Sequence, residues 1–545
     1  MSDATTEKAE KTSIAEGSAR AEARDAAVDA QARVVQQKGF LDDVIDGVQL
    51  GAMVIFFICL VFVAIFGSSL PSIFPVTQPM YDALVGLPQL LTQVPDVETV
   101  LEYVPKTLDE ACELRSIVSV WIAQVLHELA YKQWVLGLSW AMYLWQTKLN
   151  IRQRDRLHDV RRPKGIATFI SRQVYLEANA YGLDKSSLLL VSDFFGQLLT
   201  TAIIVYDVIP WLWMQVGQVT GENVLVQSVG FFVAASVLST VQGLPSDIYS
   251  TFVVEKKHGF NKQTMGLFWA DALKSLLLVV ALGAPVLAGF LWVIERTGER
   301  FYLYAWALMA GVQLLMILIY PTVIQPMFNN FDPLPEGELR EAIEALAGRL
   351  EFPLKKLYVV DGSKRSSHSN AYVFGFFKAK RIVIYDTLIE QCTTEEIVAV
   401  VGHELGHWKK SHTVRMLLMA QIQILLIFYS FSCFVTEPHM YESFGVEGMP
   451  VMLGFLFFQY LYEPLGMALQ FATNVMSRVH EFQADAFSRD LGYGEQLASC
   501  LIKLQIENKA TMNPDPLYSA FTYSHPPLVE RLDALGNPHL ASKNE

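Results

Sequence analysis

Cysteine is scarce in this chain. The 545 residues include five cysteines, and none of them forms a CxxC pair. Disulfide frameworks and thiolate zinc sites both depend on cysteines at short, regular spacings. The sequence indicates neither, so any metal must be held by histidine and carboxylate side chains.

Charged residues are also few. Asp, Glu, Lys and Arg make up 18% of the chain, whereas 52% is apolar and the mean hydropathy is +0.29. A soluble enzyme of this length does not need so many apolar residues. The net charge of −13 argues against a nucleic-acid partner, as does the lack of basic clusters interleaved with aromatic residues. The composition predicts a multi-span membrane protein.

Long apolar runs support this class. Runs that can cross roughly 30 Å of hydrocarbon occur at 48–67, 187–210, 224–245, 272–294, 302–325, 414–435 and 450–471. The stretch 116–146 is apolar but interrupted by charged residues, and we expect its second half to cross. Seven or eight transmembrane helices are therefore predicted. The polar first 45 residues cannot form a packed core and are expected to be disordered.

Basic residues set the predicted orientation. Seven Lys and Arg residues between 148 and 164 follow the 116–146 stretch, so the positive-inside rule places this loop in the cytosol. Counting the spans onward places segments 326–413 and 472–545 on the same side. Both segments with candidate catalytic residues are then cytosolic.

The segment 326–413 has a mixed pattern. Leu339–Leu350 has helical periodicity, whereas Lys356–Asp361 and Arg381–Tyr385 have the composition of strands. We predict a small α+β unit there. The expected division is a disordered tail 1–45, an extra span and luminal connection 46–131, membrane helices 132–325, the α+β insert 326–413, two membrane helices 414–471, and a C-terminal region 472–545.

The insert carries the motif His403-Glu404-Leu405-Gly406-His407 at the end of a helix-compatible run. Residues four apart lie on one face of a helix, so both imidazoles can reach one ion. Zinc with three protein ligands leaves a position for water and lowers the pKa of that water to about 7. Glu404 is the predicted general base for that zinc-activated water. The alternative is a surface helix with two unrelated histidines.

A third ligand is predicted after the last span. Glu481 and Asp485 lie four residues apart on the same predicted side of the membrane. Glu481 is expected to bind the zinc, one Zn²⁺ per chain, and Asp485 to accept the outer N–H of a ligating imidazole. Alone, this pair is typical of a solvated helix face, but its pairing with HExxH favours a metal site.

Further segments extend the pattern from about Lys132 to Leu535. These are Thr251–Thr264, Asp361–Tyr372, His403–Trp408, Glu481–Phe487 and Ser524–Pro527. With them the chain resembles the type-1 CAAX prenyl endopeptidases, multi-span membrane zinc proteases that process prenylated proteins. The resemblance implies a barrel of membrane helices around a water-filled chamber, with the zinc domain on the cytosolic side. Asp193, inside an apolar run, fits a position that faces water.

The remaining site residues follow from this resemblance. It implies that the backbone at Asn370 and Ala371 pairs with an extended substrate. His525 is expected to donate to the oxyanion, and Arg531 to anchor the same region or contact the substrate carboxylate.

The predicted reaction is hydrolysis after a prenylated cysteine, which removes the C-terminal tripeptide of a CaaX protein. The predicted partners are prenylated CaaX substrates and the lipid bilayer. The resemblance places the chain in the endoplasmic reticulum membrane and the inner nuclear membrane continuous with it, with the active site facing the cytosol.

The sequence allows three alternatives to this function. A site-2-type intramembrane protease has a motif like Asn513-Pro514-Asp515, but no predicted span surrounds that segment. A membrane-protein quality-control zinc protease would have the same metal site. A non-catalytic membrane scaffold or channel would not need Glu404, which this chain retains.

Overall fold

The computed structural model describes residues 131–163, 166–221, 223–375 and 380–536. The predicted tail 1–45, the predicted span 48–67 and the first part of the stretch 116–146 lie outside the described residues.

The described chain is mostly helical. Its α-helices are α1 Tyr131–Leu157, α2 Arg172–Val205, α3 Val208–Thr220, α4 Val224–Tyr249, α5 Met265–Thr297, α6 Phe301–Ile319, α7 Glu338–Arg349, α8 Asp386–Gln391, α9 Thr394–Lys409, α10 His412–Ser432, α11 Pro438–Ser443, α12 Val451–Ser488, α13 Gly494–Glu507, α14 Pro516–Thr522 and α15 Leu528–Ala534. π-Helical turns continue α4 to Glu255, α6 to Ile324 and α12 to Tyr493.

Four segments of the described chain are long and apolar enough to cross a membrane. They are Arg172–Val205, Val224–Glu255, Met265–Met327 and His412–Ser432. The third contains both α5 and α6, so these segments account for five of the predicted apolar runs. The run predicted at 450–471 lies within α12, which is not among the four. The exact number of spans stays a prediction.

The run predicted at 187–210 is not one continuous helix. Helix α2 ends at Val205, and Asp207 adopts a left-handed backbone conformation with φ of 53°. Its carboxylate lies 2.8 Å from the Lys132 ammonium on α1. The helix therefore breaks at the position where this ion pair forms, and α3 begins at Val208.

A four-stranded sheet follows the membrane helices in sequence. The strands are β1 Phe331–Pro333, β2 Leu354–Val360, β3 Ala371–Phe374 and β4 Lys380–Tyr385. Their order is β1-β2-β4-β3, with β2 and β4 parallel and both outer pairs antiparallel. The helix and both strands predicted for this segment are present, and β3 is an edge strand.

Packing on the sheet fixes the position of α9. Ile382 and Ile384 of β4 are fully buried in one apolar cluster with Ile397, Val401 and Leu405 of α9. Burial of each such side chain stabilises the fold by roughly 1.5–3 kcal/mol. The motif helix is therefore held against the sheet by buried apolar side chains.

Candidate metal centre

Helix α9 begins with a capping box. Thr393 accepts a hydrogen bond from the Glu396 backbone, and the Glu396 carboxylate accepts one from the Thr393 N–H at 2.8 Å. The same carboxylate accepts hydrogen bonds from Ser499 and Lys503 on α13, at 2.6 and 2.7 Å. These contacts fix where the helix starts and hold it against α13.

Two glycines let α9 approach α12 closely. A Cβ at Gly406 would lie 3.2 Å from the Ala484 Cα and 3.1 Å from the Phe487 side chain. A Cβ at Gly402 would lie 3.2 Å from the Ser488 hydroxyl oxygen. Because the helices meet here backbone to backbone, the side chains of one turn of α9 reach those of α12.

This approach brings three predicted ligands together. The Nε2 atoms of His403 and His407 are 3.1 Å apart. Glu481 places Oε2 at 3.5 Å from the His403 Nε2 and Oε1 at 3.3 Å from the His407 Nε2. All three potential ligand atoms lie within 4.8 Å of one another. Residues separated by a membrane-helix hairpin in the sequence thus converge on one point.

Asp485 and Arg531 support this cluster from one side. Asp485 is 2.8 Å from Nδ1 of His403, and Arg531 donates two hydrogen bonds to Asp485, at 2.6 and 2.8 Å. Burial alone would raise the pKa of Asp485, but the Arg531 guanidinium lowers it below its ordinary value. The ionised carboxylate accepts the Nδ1–H of His403, so Nε2 faces the cluster as a potential ligand.

Arg531→Met is expected to destabilise the protein by about 3–5 kcal/mol, because the buried Asp485 carboxylate would lose its cation. The arginine side chain is 12% exposed and that of Asp485 is 1% exposed. Thermal unfolding of the purified protein in detergent measures the change. Arg161→Met is the matched control, since Arg161 pairs with Asp159 at an 88% exposed position. Equal shifts in the two variants would contradict this explanation.

The donor set fits a metal. Burial disfavours charge on His403, yet its hydrogen bond to Asp485 and the nearby Glu481 carboxylate raise its pKa to about 9. Burial would raise the pKa of Glu481, but His403 and His407 hold it below the ordinary range. Glu481 Oε2 is buried and makes no hydrogen bond within the described part of the chain. The pocket therefore favours positive charge, either a proton on His403 or a metal ion in its place.

Glu404 lies beside the cluster on the same helix. It is half-buried, and its charge interacts with His403, His407 and Glu481. Desolvation raises the pKa of its carboxyl above the ordinary value. Its position and basicity suit a general base for a molecule held at the cluster.

His525 reaches the cluster from the loop before α15. Its Nε2 lies 3.5 Å from Oε1 of Glu481, and the side chain is 65% exposed. Ser524 is 3.0 Å from its other ring nitrogen. An adjoining cavity of about 330 Å³ is lined by Gln505, Ala510, Thr511 and residues 522–528. The imidazole is therefore available to a molecule that enters this cavity.

The predicted substrate-binding pair lies at the start of β3. The Asn370 carbonyl accepts a hydrogen bond from the Tyr385 N–H, and its side chain accepts one from the Ala371 N–H at 2.8 Å. Because hydrogen-bonding direction alternates along a strand, the backbone groups of Ala371 and Val373 face the open side of this edge strand. Arg531 is bound to Asp485, which corresponds to the anchoring role that the sequence allowed; its contact with substrate stays a prediction.

His412 and Gln483 also contact the site but are not among the residues predicted from the sequence. His412 lies 3.0 Å from His407 and 2.9 Å from Gln483, and its ring stacks on His480. The available signal was a third histidine five residues after the HExxH motif, together with a glutamine two residues after Glu481.

Comparison with known proteins adds independent findings. A family model described as "CAAX prenyl protease N-terminal, five membrane helices" matches residues 153–330, and the model of peptidase family M48 matches residues 333–539. A CAAX prenyl protease 1 homolog from Oryza sativa subsp. japonica is 46% identical over 76% of this chain and 100% of its own length. The CAAX prenyl protease 1 homolog from Homo sapiens is 39% identical over 74% of this chain and 94% of its own length.

A solved structure is similar over nearly its whole length. The crystal structure of S. mikatae Ste24p superposes with a TM-score of 0.72 and 39% sequence identity. The match covers 74% of this chain and 99% of that chain. The mostly helical architecture with a small sheet is thus similar in both.

Proposed function

This chain belongs to peptidase family M48, and from that membership we propose that it is a zinc-dependent endopeptidase that removes the C-terminal tripeptide of prenylated CaaX proteins. The convergence of His403, His407 and Glu481 beside Glu404 carries the proposal. These are two imidazoles and a carboxylate, a donor set typical of catalytic zinc sites that leave one position open.

Each residue has a separate chemical role in the proposed reaction. Zinc held by His403, His407 and Glu481 would supply a Lewis acid that polarises the scissile carbonyl and makes water more acidic. Glu404 accepts the proton of the attacking water and passes it to the leaving nitrogen. Burial raises the pKa of Glu404, so its carboxylate is a stronger base than a solvated glutamate.

His525 is the proposed donor to the oxyanion. If the Ser524 hydroxyl donates to Nδ1, the neutral imidazole carries its proton on Nε2, the nitrogen nearer Glu481. That N–H can stabilise the negative charge that develops on the carbonyl oxygen.

The open edge of β3 is the proposed site for the substrate backbone. An extended peptide that adds to this edge would pair with Ala371 and Val373, and Asn370 would lie at the start of the added strand. The edge strand packs near α9. Strand addition therefore fits a role in aligning the scissile bond over the cluster.

The membrane helices offer a place for the prenyl tail. A cavity of about 810 Å³ has both polar and apolar walls, among them Glu463, Gln470 and Met467 of α12. Thr522 lines this cavity and the smaller one beside His525. We assign the larger cavity to a water-filled chamber next to the cluster. A tail that stays in the chamber or the bilayer raises the local concentration of the scissile bond.

We further propose that the site faces the cytosol from the endoplasmic reticulum membrane and the continuous inner nuclear membrane. Basic residues in the last turns of α1, which extends to Leu157 rather than ending near 146, and in the segment after it support this orientation through the positive-inside rule. Segments 326–413 and 472–545 together would form the cytosolic zinc domain, since α9 and the end of α12 supply its ligands.

Cleavage of a farnesylated CaaX peptide and of its non-prenylated twin tests the substrate class. We expect kcat/KM to be about 100-fold higher for the farnesylated peptide, because the tail tethers it at the site. The purified full chain in detergent micelles is suitable for both assays. If both peptides are cut alike, the prenyl assignment fails and a membrane quality-control protease becomes the better interpretation.

A further inference from the structure

The histidine after the motif helix has no part in the reaction described so far. Ser411 adopts a left-handed backbone conformation with φ of 57°, so the chain turns sharply between α9 and α10. His412, the first residue of α10, is thereby directed back toward the motif helix and is 2% exposed. A buried polar side chain in such a position needs hydrogen-bond partners.

The hydrogen-bond partners of His412 lie on α9 and α12, the two helices that carry the proposed metal ligands. His412 places Nδ1 at 3.0 Å from Nδ1 of His407, on the ring edge away from the cluster. Its Nε2 lies 2.9 Å from the side-chain oxygen of Gln483 on α12. The ring also stacks on His480, with centroids 4.1 Å apart and planes 10° apart. His412 therefore bridges α9 and α12 behind His407.

The proton positions along this chain follow from donor and acceptor chemistry. The Gln483 oxygen can only accept, so Nε2 of His412 carries a proton. In the neutral imidazole, Nδ1 of His412 is then an acceptor and receives the Nδ1–H of His407. This leaves Nε2 of His407 as a lone pair directed toward His403 and Glu481, which is the state that a metal ligand requires.

The reverse arrangement would prevent metal binding. If Gln483 presented its NH₂ group, His412 would accept at Nε2 and donate from Nδ1 to His407. The proton of neutral His407 would then lie on Nε2, in the position of the metal. Among neutral imidazoles, only the orientation with the Gln483 oxygen toward His412 is compatible with ligation.

We propose that His412 is a positioning residue that fixes the tautomer and ring orientation of His407 for metal binding. The inference rests on the proposed zinc site. The two histidine ligands are then held by different means: His403 by the charged pair Asp485–Arg531, and His407 by the neutral relay His412–Gln483. Removal of a partner of this kind typically costs 10–100-fold in metal affinity.

Zinc dissociation from the purified full chain tests the proposal. His412→Phe keeps an aromatic ring for the stack on His480 but removes the acceptor, whereas the side-chain oxygen of His412→Asn can replace Nδ1. We expect the phenylalanine variant to release zinc to a chelator about 10–100-fold faster than wild type. The asparagine variant should have a rate within about threefold of wild type, as is expected when the supporting hydrogen bond is kept.

Gln483→Leu provides a second test that does not alter His412. Without the Gln483 oxygen, nothing holds the proton of His412 on Nε2, so zinc release is again expected to be faster than in wild type. This measurement remains possible even if His412→Phe does not fold. Equal release rates in wild type and Gln483→Leu would overturn the proposal, as would an asparagine variant that releases zinc as fast as the phenylalanine variant. If wild type itself binds no zinc, the proposed function fails first, so the two failures are distinguishable.

Discussion

Glu404→Gln is expected to lower kcat for the farnesylated peptide about 10³-fold and to leave the metal content unchanged. Glutamine has the size and shape of glutamate, but its amide cannot accept the proton of the attacking water. General acid–base catalysis typically contributes 10²–10⁴-fold, and in the proposed reaction one carboxylate performs both transfers. Initial rates with saturating peptide, together with metal analysis of the same samples, measure both quantities.

Glu395→Gln is the matched control for this variant. Glu395 lies in the first turn of the same helix and is exposed. Its substitution should leave both rate and metal content unchanged. A Glu404→Gln enzyme that retains more than about a tenth of wild-type kcat would contradict the role of general base.

Glu481→Ala is expected to remove the metal itself. The substitution deletes the only anionic donor of the three that converge, and it leaves two imidazoles whose Nε2 atoms are 3.1 Å apart. The loss of affinity should exceed the 10–100-fold that is typical for a supporting residue. After dialysis against a chelator, we expect the variant to contain little zinc and to cut no peptide.

Glu495→Ala serves as the control for the loss of a carboxylate. Glu495 lies in the first turn of α13 and is exposed. The control should keep its zinc through the same dialysis. If Glu481→Ala also kept a full complement of zinc, another residue would have to be the third ligand.

The centre of the site was predictable because its pattern is local. His403 and His407 are four residues apart, and helical geometry alone places them on one face. Glu481 and Asp485 follow the same rule on a second helix. The sequence therefore predicts two pairs of site residues, one on each helix. The glycines that let α9 and α12 approach closely explain why the two pairs meet.

Contacts between distant residues were not predictable in the same way. Arg531 binds Asp485 across 46 positions, and Gln483 meets His412 across 71. No periodicity links such residues, since their distance depends on how separate helices pack. The sequence predicted Asp485 as the partner of a ligating imidazole, but the Arg531–Asp485 and His412–Gln483 contacts are visible only in the folded chain.

Helix lengths were underestimated for a related reason. The apolar run predicted to end at 471 continues as α12 to Ser488, because polar residues such as Asn474 end a hydropathy signal without ending a helix. The helical backbone is interrupted instead at Gly492, whose φ of 95° lies in the left-handed region that glycine favours. The extra turns carry Glu481 and Asp485 to the motif helix.

X-ray absorption at the zinc edge of the purified wild-type protein identifies the atoms that bind the metal. We expect about one zinc per chain with two imidazole nitrogens and carboxylate or water oxygen at about 2.0–2.2 Å. Sulfur ligands at about 2.3 Å would contradict this ligand set, because the buried thiols of Cys392 and Cys500, which lie 3.1 Å apart, would then be the better candidates for the metal site.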